Sequence, residues 1–230
     1  MIFNGIEKDY IRVTREFFRP PTPPIEFQTR PNAKGGARTK RKRFTDLILP
    51  VPIVVRSKTT IEDLKEDLSN WLVHTEPKKL IFKDKPNRHY LAEYESMELD
   101  EKVNYAKGVI NFYLAEGYRF GPEQALNLTL TTKTFTIGGQ ESTVWESYTR
   151  FTVPQSSYTL ESNVGKIILK YDFIAGDVLE IDYRTRDVFL NGKDLAVSVQ
   201  LETVWFELPV GSVQLKASHA TELKYSERFY

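Results

Sequence analysis

The sequence of 230 residues contains no cysteine and only three histidines. Without cysteine there is no disulfide, no thiolate metal ligand and no cysteine nucleophile. His74, His89 and His219 lie far apart in unlike contexts, whereas a zinc site usually draws on closely spaced ligands. We therefore expect neither a metal site nor a cofactor.

The common catalytic motifs are also missing. There is no Gly-x-Ser-x-Gly elbow, no phosphate-binding Walker loop and no His-Glu-x-x-His motif. Asp172, Asp177 and Asp182 lack the spacing of a calcium-binding loop. Any two acids can meet in a fold, so sequence cannot exclude a carboxylate pair, but no pattern selects one. We expect a protein that is not an enzyme.

Long hydrophobic runs are absent as well. No window approaches the roughly 18 consecutive apolar residues of a membrane helix. The N-terminal residues lack the basic segment and apolar stretch that mark a signal peptide. We expect a soluble protein that is made in a cytosol and does not enter a membrane.

Aromatic residues, by contrast, are abundant, at 13% of the chain. Such side chains favour strands, so the composition indicates a β-rich fold. The net charge of +1 is unevenly distributed, because residues 1–122 carry +5 and residues 123–230 carry −4. Neither charge is typical of a dedicated nucleic-acid-binding domain, and the division suggests two units.

The first half combines strand patterns with one helix. Residues 2–13 predict a first strand with a tight turn at Asn4-Gly5, and the prolines within residues 20–24 indicate a connector or sheet edge. Residues 25–56 predict a long hairpin, because strand-like stretches flank turn residues at 31–36. A helix is predicted over residues 59–76, where Thr59 and Glu62 fit a capping box and apolar residues recur at helical spacing.

The returning arm of that hairpin carries a basic run, which consists of Arg38, Lys40, Arg41, Lys42 and Arg43. Such a run can bind phosphates as a sequence-independent electrostatic patch. Alternate residues of a strand point to opposite faces, however, so regular alternation predicts no continuous stripe. We therefore favour a solvated hairpin or a contact with another subunit or partner over a nucleic-acid site.

Glycine and proline at residues 117, 121 and 122 indicate a domain boundary. Beyond it only strand patterns appear, in short alternating segments, and Asn191-Gly192 is typical of a two-residue hairpin turn. The sequence thus predicts a β-rich domain with one helix over residues 1–122. It predicts a β-sandwich or jelly roll over residues 123–230.

Two tryptophans in the second half are candidates for a sugar-binding platform. Trp205 lies among other large apolar residues, so core packing is the favoured interpretation. Trp145 stands next to Glu146, so its environment is open, and it is retained as a weak candidate for a sugar platform.

The order of these parts resembles the distal tail protein (Dit) family of long-tailed phages that infect Gram-positive bacteria. Members begin with an F-N-G-x strand and a glycine-turn hairpin, then carry one amphipathic helix and a galectin-like sandwich. Phe3-Asn4-Gly5 and the turn at Gly35-Gly36 match this order. One departure is Leu208–Val213, which lacks the Asn of the family's L-x-P-G-x-N segment. Further matches are Gly176–Asp182 (G-D-x-L-x-I-D), Val188–Lys193 (V-x-x-N-G) and the closing Tyr225–Tyr230 (Y-x-x-R-W/Y).

The resemblance implies a mainly β fold with one helix, in which a β-rich, ring-forming first domain precedes a galectin-like β-sandwich. It implies a homohexameric hub at the virion tail tip, made in the bacterial host cytoplasm. Its partners would be the tail tube protein and a tail-associated lysin, fibre or receptor-binding protein, with DNA only passing through the channel. A hairpin with free edges suits a closed ring, which leaves no edge unpaired.

The alternative is a carbohydrate-binding β-sandwich module. Galectin-like sandwiches often bind sugars, and a fold alone does not fix a function. The sequence shows no cluster of Trp, Asn and Arg that would mark a galectin groove, so the tail component is the preferred hypothesis.

Overall fold

The computed structural model describes residues 1–56 and 60–230, and it is mainly β with one short α-helix. The helix α1 spans Lys65–Leu72 and follows a 3-10 turn at Glu62–Leu64; a second 3-10 turn spans Ala196–Ser198. This confirms the predicted fold class. The strands are β1 (Ile2–Phe3), β2 (Ile11–Val13), β3 (Ile25–Pro31), β4 (Ala37–Phe44), β5 (Leu47–Arg56), β6 (Lys78–Ile81), β7 (His89–Lys102), β8 (Tyr105–Leu114), β9 (Arg119–Leu128), β10 (Lys133–Ile137), β11 (Trp145–Arg150), β12 (Gln155–Ser162), β13 (Lys166–Phe173), β14 (Val178–Asp182), β15 (Asp187–Leu190), β16 (Lys193–Asp194), β17 (Gly211–Ala217) and β18 (Thr221–Phe229).

The chain divides into two compact units. The first consists of residues 1–120 together with Tyr230, and the second of residues 121–229. Each unit has its own cluster of buried apolar side chains.

The first unit is built on the antiparallel order β2-β5-β8-β7, and β6 pairs with both β7 and β1. Strand β5 shows why this sheet forms: Leu49, Val51, Ile53 and Val55 alternate towards the core and are at most 1% exposed. Its ladder with β2 reaches only from Val55 to Ile53. The prolines at 50 and 52 lie beyond that ladder. The carbonyl of Pro52 accepts from the amide of Thr14 at 2.9 Å, a bond that needs no N–H from the proline.

The hairpin predicted over residues 25–56 is shorter than expected. Strands β3 and β4 pair with each other over Ile25–Phe44, whereas β5 enters the larger sheet. The apolar alternation of β5 explains this, because only a strand with one buried face gains from joining the core.

The helix is also shorter than the predicted range of 59–76. The cap lies before the 3-10 turn that leads into α1: Thr60 Oγ1 accepts from the amide of Asp63 at 3.3 Å, and the amide of Thr60 donates to Asp63 Oδ2 at 3.1 Å. This is a capping box one residue later than the predicted Thr59–Glu62 pair, and Thr59 lies outside the described residues. At the other end Val73 turns to an extended conformation, and Nε2 of His74 lies 3.0 Å from the carbonyl oxygen of Trp71.

Replacing Thr60 by Ala should lower the free energy of unfolding of the first unit by about 1 kcal/mol, because the Asp63 amide loses its acceptor. Thr60→Ser keeps a hydroxyl and is the matched control. Chemical denaturation followed by circular dichroism measures both variants. Equal losses in the two would show that the hydroxyl is not the stabilising group.

The buried side of α1 fixes the start of the chain. Leu68, Trp71 and Leu72 are buried, and Trp71 Nε1 donates to the carbonyl of Phe3 at 3.1 Å. The ring of Phe3 meets that indole edge-on at a centroid distance of 6.1 Å. The Asn4-Gly5 turn follows, with φ of 50° and 75°, so the short F-N-G strand is held by the helix.

His89 lies half-buried in β7, where it pairs with Phe120, and its imidazole is tilted against that ring at a centroid distance of 5.8 Å. Burial, and to a lesser degree Lys79, lowers its pKa from 6.5 to about 4. Between those two pH values the unfolded chain binds more protons than the folded chain. The free energy of unfolding should therefore fall as pH drops from 7 to 4, by roughly 1–2 kcal/mol after discounting for partial exposure.

His89→Gln removes that titration while keeping a polar side chain of similar length. The difference in stability between pH 7 and pH 4.5 should then be smaller in the variant than in the wild type. Denaturant titrations at both pH values test this, and an unchanged difference would assign the acid sensitivity to other groups.

The second unit contains two antiparallel sheets around one core. One has the order β16-β15-β14-β11-β18-β9 and the other the order β10-β17-β12-β13. Buried residues from both sheets, among them Leu160, Leu169, Ile181 and Leu223, form the core between them. Asn191-Gly192 makes the hairpin turn between β15 and β16, with φ of 52° and 75°, as its sequence predicts.

A buried polar cluster lies inside this core. The hydroxyl of Tyr158, a residue with no exposed surface, lies 3.0 Å from that of Thr221, which in turn lies 2.7 Å from that of Thr149. Burial raises the pKa of Tyr158, so its phenol stays protonated. The three hydroxyls satisfy one another, which offsets the cost of burying them.

Candidate assembly interface

The β3–β4 hairpin is the most exposed secondary structure of the first unit. All its residues except Ile25 and Phe44 are exposed, on both faces. Within residues 1–56 and 60–230 the two strands pair only with each other. A two-stranded hairpin has little stability alone in water, so its conformation favours a role in contacting another molecule.

The base of the hairpin is held by aromatic packing within the first unit. The Phe44 ring lies 5.7 Å from Tyr118 and 5.1 Å from Tyr230, and the amide of Thr45 donates to the carbonyl of Pro24 at 3.0 Å. The side chain of Pro23 leaves no space for a Cβ at Gly117, since the two would approach to 2.7 Å. The hairpin therefore begins from a fixed base.

A β-bulge at Lys40 changes the faces of the basic run. Gln28 pairs with Arg41, but the next residue of β3, Thr29, pairs with Thr39, which leaves Lys40 as the extra residue. A bulge places two residues opposite one and interrupts the alternation of the strand.

The result is one basic face. Glu26, Gln28 and Arg30 alternate along the regular strand β3, so they share a face. Residues directly opposite one another also share a face, and these are Arg43, Arg41 and Arg38 respectively. The bulged residue Lys40 lies beside this face, in a surface depression that Arg30, Arg38 and Thr39 also line. The basic face is defined here as the arginines at 30, 38, 41 and 43 together with the adjacent Lys40.

This corrects the expectation from sequence that the run cannot form a continuous stripe. Of the five predicted contact residues, Arg38, Lys40, Arg41 and Arg43 lie together, and only Lys42 lies on the other face, opposite Phe27. The regular alternation assumed from sequence fails at a single inserted residue.

The other face of the hairpin is largely uncharged. Phe27 is 56% exposed, and Lys42 Nζ lies 5.9 Å from the centre of the Phe44 ring. The hairpin is thus a ribbon with one basic side and one side that carries an exposed aromatic ring.

Little within the described residues neutralises the basic face. Arg43 Nε forms an ion pair with Glu26 Oε2 at 2.5 Å, in which both side chains are more than half exposed. Between Ile25 and Phe44 there are seven cationic residues and one acid. Such a surface attracts an acidic partner and raises the rate of encounter with it.

Trp145, the candidate sugar platform, is a core residue. It is 1% exposed, its ring lies 5.3 Å from Phe206, and its Nε1 donates to the Phe206 carbonyl at 2.8 Å. The platform hypothesis for Trp145 is therefore wrong, because a buried indole cannot stack on a sugar. Trp205 is partly buried against the same core, as expected.

The three histidines lie in separate environments: His74 at the end of α1, His89 against Phe120, and His219 beside Ser218 and Phe151. Among residues 1–56 and 60–230 no three metal-ligating side chains come together. In the same ranges, none of the helices combines the length and apolar character needed to cross a bilayer.

Comparison with known proteins places this geometry in a family. Residues 7–114 match the family model described as a phage tail protein RIFT-related domain, and residues 138–229 match the C-terminal domain of a siphovirus-type tail component. The distal tail protein of Bacillus phage SPP1 is 30% identical over 191 residues, which cover 79% of this chain and 76% of that protein. The chain belongs to the distal tail protein family. It is accordingly a structural component of the phage tail tip.

Solved structures agree at the level of the fold. The crystal structure of the SPP1 protein superimposes with a TM-score of 0.85 at 21% identity, over 100% of this chain and 98% of that one. That protein is described as a paradigm of the hub adsorption apparatus in phages that infect Gram-positive bacteria. A chain of the phage p2 baseplate, in its activated conformation, gives a TM-score of 0.58 at 10% identity, over 95% of this chain and 90% of that one.

Proposed function

We propose that the chain forms a cyclic homo-oligomer, a hexamer, that acts as the hub of the tail tip and joins the tail tube to the host-adsorption apparatus. The observation that carries this proposal is the β3–β4 hairpin, exposed on both faces and strongly basic, in a chain of the distal tail protein family. Open strand edges invite pairing between chains, and a contact between two different patches forms a ring when the rotation from one subunit to the next closes.

In this proposal the ring contains residues 1–122, and residues 123–230 lie on its periphery. Its partners are the tail tube protein on one side and a tail-associated lysin, fibre or receptor-binding protein on the other, and DNA passes through the channel. The protein is made in the cytoplasm of the bacterial host and acts by binding rather than by catalysis. The burial of Trp145 removes the residue that favoured a sugar-binding module.

Mass photometry across a wide concentration range should detect a species of six times the 26.7 kDa chain mass, and negative-stain electron microscopy should show rings. The expected result follows from the basic β3–β4 hairpin, whose strands pair only with each other among residues 1–56 and 60–230. Sedimentation at high concentration provides the control for weak association. A chain that stays monomeric throughout would contradict a self-assembling ring.

A further inference from the structure

The first unit has a large surface depression beside strand β2. Its volume is about 760 Å³, within the range of roughly 300–1,000 Å³ that is typical of ligand-binding clefts. Its lining comes from Met1, from residues between 7 and 19, which include β2, and from residues 82–84 after β6. This surface is called the β2 depression. It is distinct from the β3–β4 hairpin, which contributes none of the described lining residues.

The β2 depression has more cations than acids. Five lining residues are cationic and three are acidic. Arg12 and Arg15 are exposed, and neither forms an ion pair with any residue in 1–56 or 60–230. An exposed guanidinium without an acidic partner can bind a carboxylate of another molecule through two parallel hydrogen bonds. The other three cations have carboxylate partners within the chain, in the pairs Lys8–Asp67, Arg19–Asp84 and Lys83–Glu7.

Arg19 is held in place by two aromatic rings. Its guanidinium carbon lies 5.5 Å from the centre of the Phe17 ring and 5.2 Å from that of Phe82, and its Nη2 atom donates to Asp84. A guanidinium carries five N–H donors, and among the described residues only Nη2 has a carboxylate partner. Arg19 therefore presents further donors from a fixed position, and a preorganised group loses little entropy when a ligand binds.

Two more residues indicate what the β2 depression receives. Thr14 lines it, and its Oγ1 atom is buried with no hydrogen-bond partner in the part of the chain that the structure describes. Such an atom is uncommon in native structures because it is costly, and a carboxylate from outside would accept its hydrogen bond. Phe18 stands between two lining residues and is 72% exposed. Aromatic residues and arginines together are typical of the centres of protein interfaces.

We infer that the β2 depression binds a segment of another tail protein that carries both carboxylate and apolar side chains. The carboxylates would lie against Arg12, Arg15 and the hydroxyl of Thr14, and an apolar side chain would pack on Phe18. The charged contacts give selectivity, and the aromatic contact adds apolar burial. The inference rests on the proposed function and names the chemistry by which a partner docks on the hub.

Two other occupants fit the β2 depression less well. The exposed carboxylate of Asp9 belongs to the lining, and it would repel the continuous line of phosphates of a nucleic acid. Single carboxylates, by contrast, can be placed beside the arginines. The β3–β4 hairpin of a second copy has seven cations and one acid between Ile25 and Phe44. Those cations would face the arginines of the depression, so like charges exclude that contact.

The test is the binding of a fluorescein-labelled peptide to the full chain, measured by fluorescence anisotropy. The probe is Gly-Glu-Leu-Glu-Phe-Gly, and the same peptide with Gln in place of Glu is its neutral control. Arg12→Gln/Arg15→Gln should weaken binding of the acidic peptide by about tenfold or more, because hydrogen bonds between charged groups are lost. Arg150→Gln/Arg186→Gln removes two exposed arginines of the second unit and should bind like the wild type.

Thr14→Val provides a second variant with a different expected signature. It should also weaken binding of the acidic peptide, because the ligand carboxylate loses a donor. It should not lower the free energy of unfolding, since the hydroxyl that it removes has no partner among the described residues. Denaturation followed by circular dichroism measures the stability of this variant and of Arg12→Gln/Arg15→Gln.

Equal binding of the acidic and neutral peptides, or equal binding by the wild type and Arg12→Gln/Arg15→Gln, overturns the inference. Loss of binding in the hairpin variant Arg38→Gln/Arg41→Gln instead would place the peptide on the basic face. Tighter binding of a labelled duplex that Arg12→Gln/Arg15→Gln abolishes would assign the depression to nucleic acid.

Mass photometry separates this site from the ring. Arg12→Gln/Arg15→Gln should assemble like the wild type, and a monomeric variant would give the depression to a second copy, which overturns the inference. If the wild type stays monomeric yet binds the acidic peptide, the ring fails and the site stands. If it assembles but does not bind the peptide, the site fails and the ring stands.

Discussion

Replacing Trp145 by Ala should lower the free energy of unfolding of the second unit by about 3–5 kcal/mol, the range for aromatic deletions in a core. Trp145 is among the largest fully buried side chains and packs against Phe206 and Tyr183. Its loss leaves a cavity and also leaves the Phe206 carbonyl without its 2.8 Å donor. Since domains are stable by only about 5–15 kcal/mol, this change removes a large share of the total.

Trp145→Phe separates the two effects, because it keeps most of the apolar volume and removes the donor. We expect a smaller loss of about 1–3 kcal/mol, the cost of an unsatisfied buried carbonyl. Circular dichroism during denaturation measures both variants, with Trp205→Ala as a control at a less buried position. If Trp145→Ala left the transition unchanged, Trp145 could not occupy the core position that the structure assigns to it.

The elements that the sequence predicts well are those with strong local chemistry. Asn4-Gly5 and Asn191-Gly192 both form tight turns with positive φ, because these residues tolerate left-handed backbone with little strain. The helical spacing of apolar residues in α1 correctly predicts which side of the helix is buried, namely Leu68, Trp71 and Leu72. Alternation of apolar residues in β5 places that strand in the core.

The features that the sequence could not give depend on tertiary context. The bulge at Lys40 is a property of pairing between β3 and β4, and no residue in the run marks it. The cluster of Tyr158, Thr149 and Thr221 places three polar groups in the core, although single-sequence patterns treat such residues as surface. Trp145 shows the opposite case: the sequence left it as a candidate surface residue, but it is buried. The neighbouring Glu146 does not indicate on which face of the strand the indole lies.

The length of β7 also depends on tertiary context. The charged residues after Glu95 are typical of an exposed loop, yet the strand runs to Lys102. Pairing with β8 along its whole length accounts for this, because a ladder on one edge fixes the backbone even where side chains are charged. A sequence signal did exist: Leu99 and Met97 lie between the acids and pack against the core.

Neutralising the basic face should weaken assembly while changing DNA binding little. The variant Arg38→Gln/Arg41→Gln/Arg43→Gln removes three cations that would contact a neighbouring subunit in the proposed ring, and each pair of opposite charges between strands is worth roughly 0.2–1 kcal/mol. The association constant should therefore fall by about one to two orders of magnitude. Lys133→Gln/Lys170→Gln/Lys193→Gln removes the same charge from exposed positions of the second unit and should assemble normally.

Measuring DNA binding by the same variants distinguishes a subunit or partner contact of the hairpin from a DNA-binding role. If the basic face bound duplex DNA, its cations would give a steep salt dependence, with a slope near −0.9 for each phosphate neutralised. We expect weak or absent binding at physiological salt in both the wild type and the variant, because in the proposed ring DNA must slide freely and the basic face contacts a subunit or partner. A titration of labelled duplex at several salt concentrations measures it. Tight, salt-sensitive binding that disappears in the variant would assign the basic face to DNA instead, since a surface engaged by a neighbouring subunit has no charge left to release counterions.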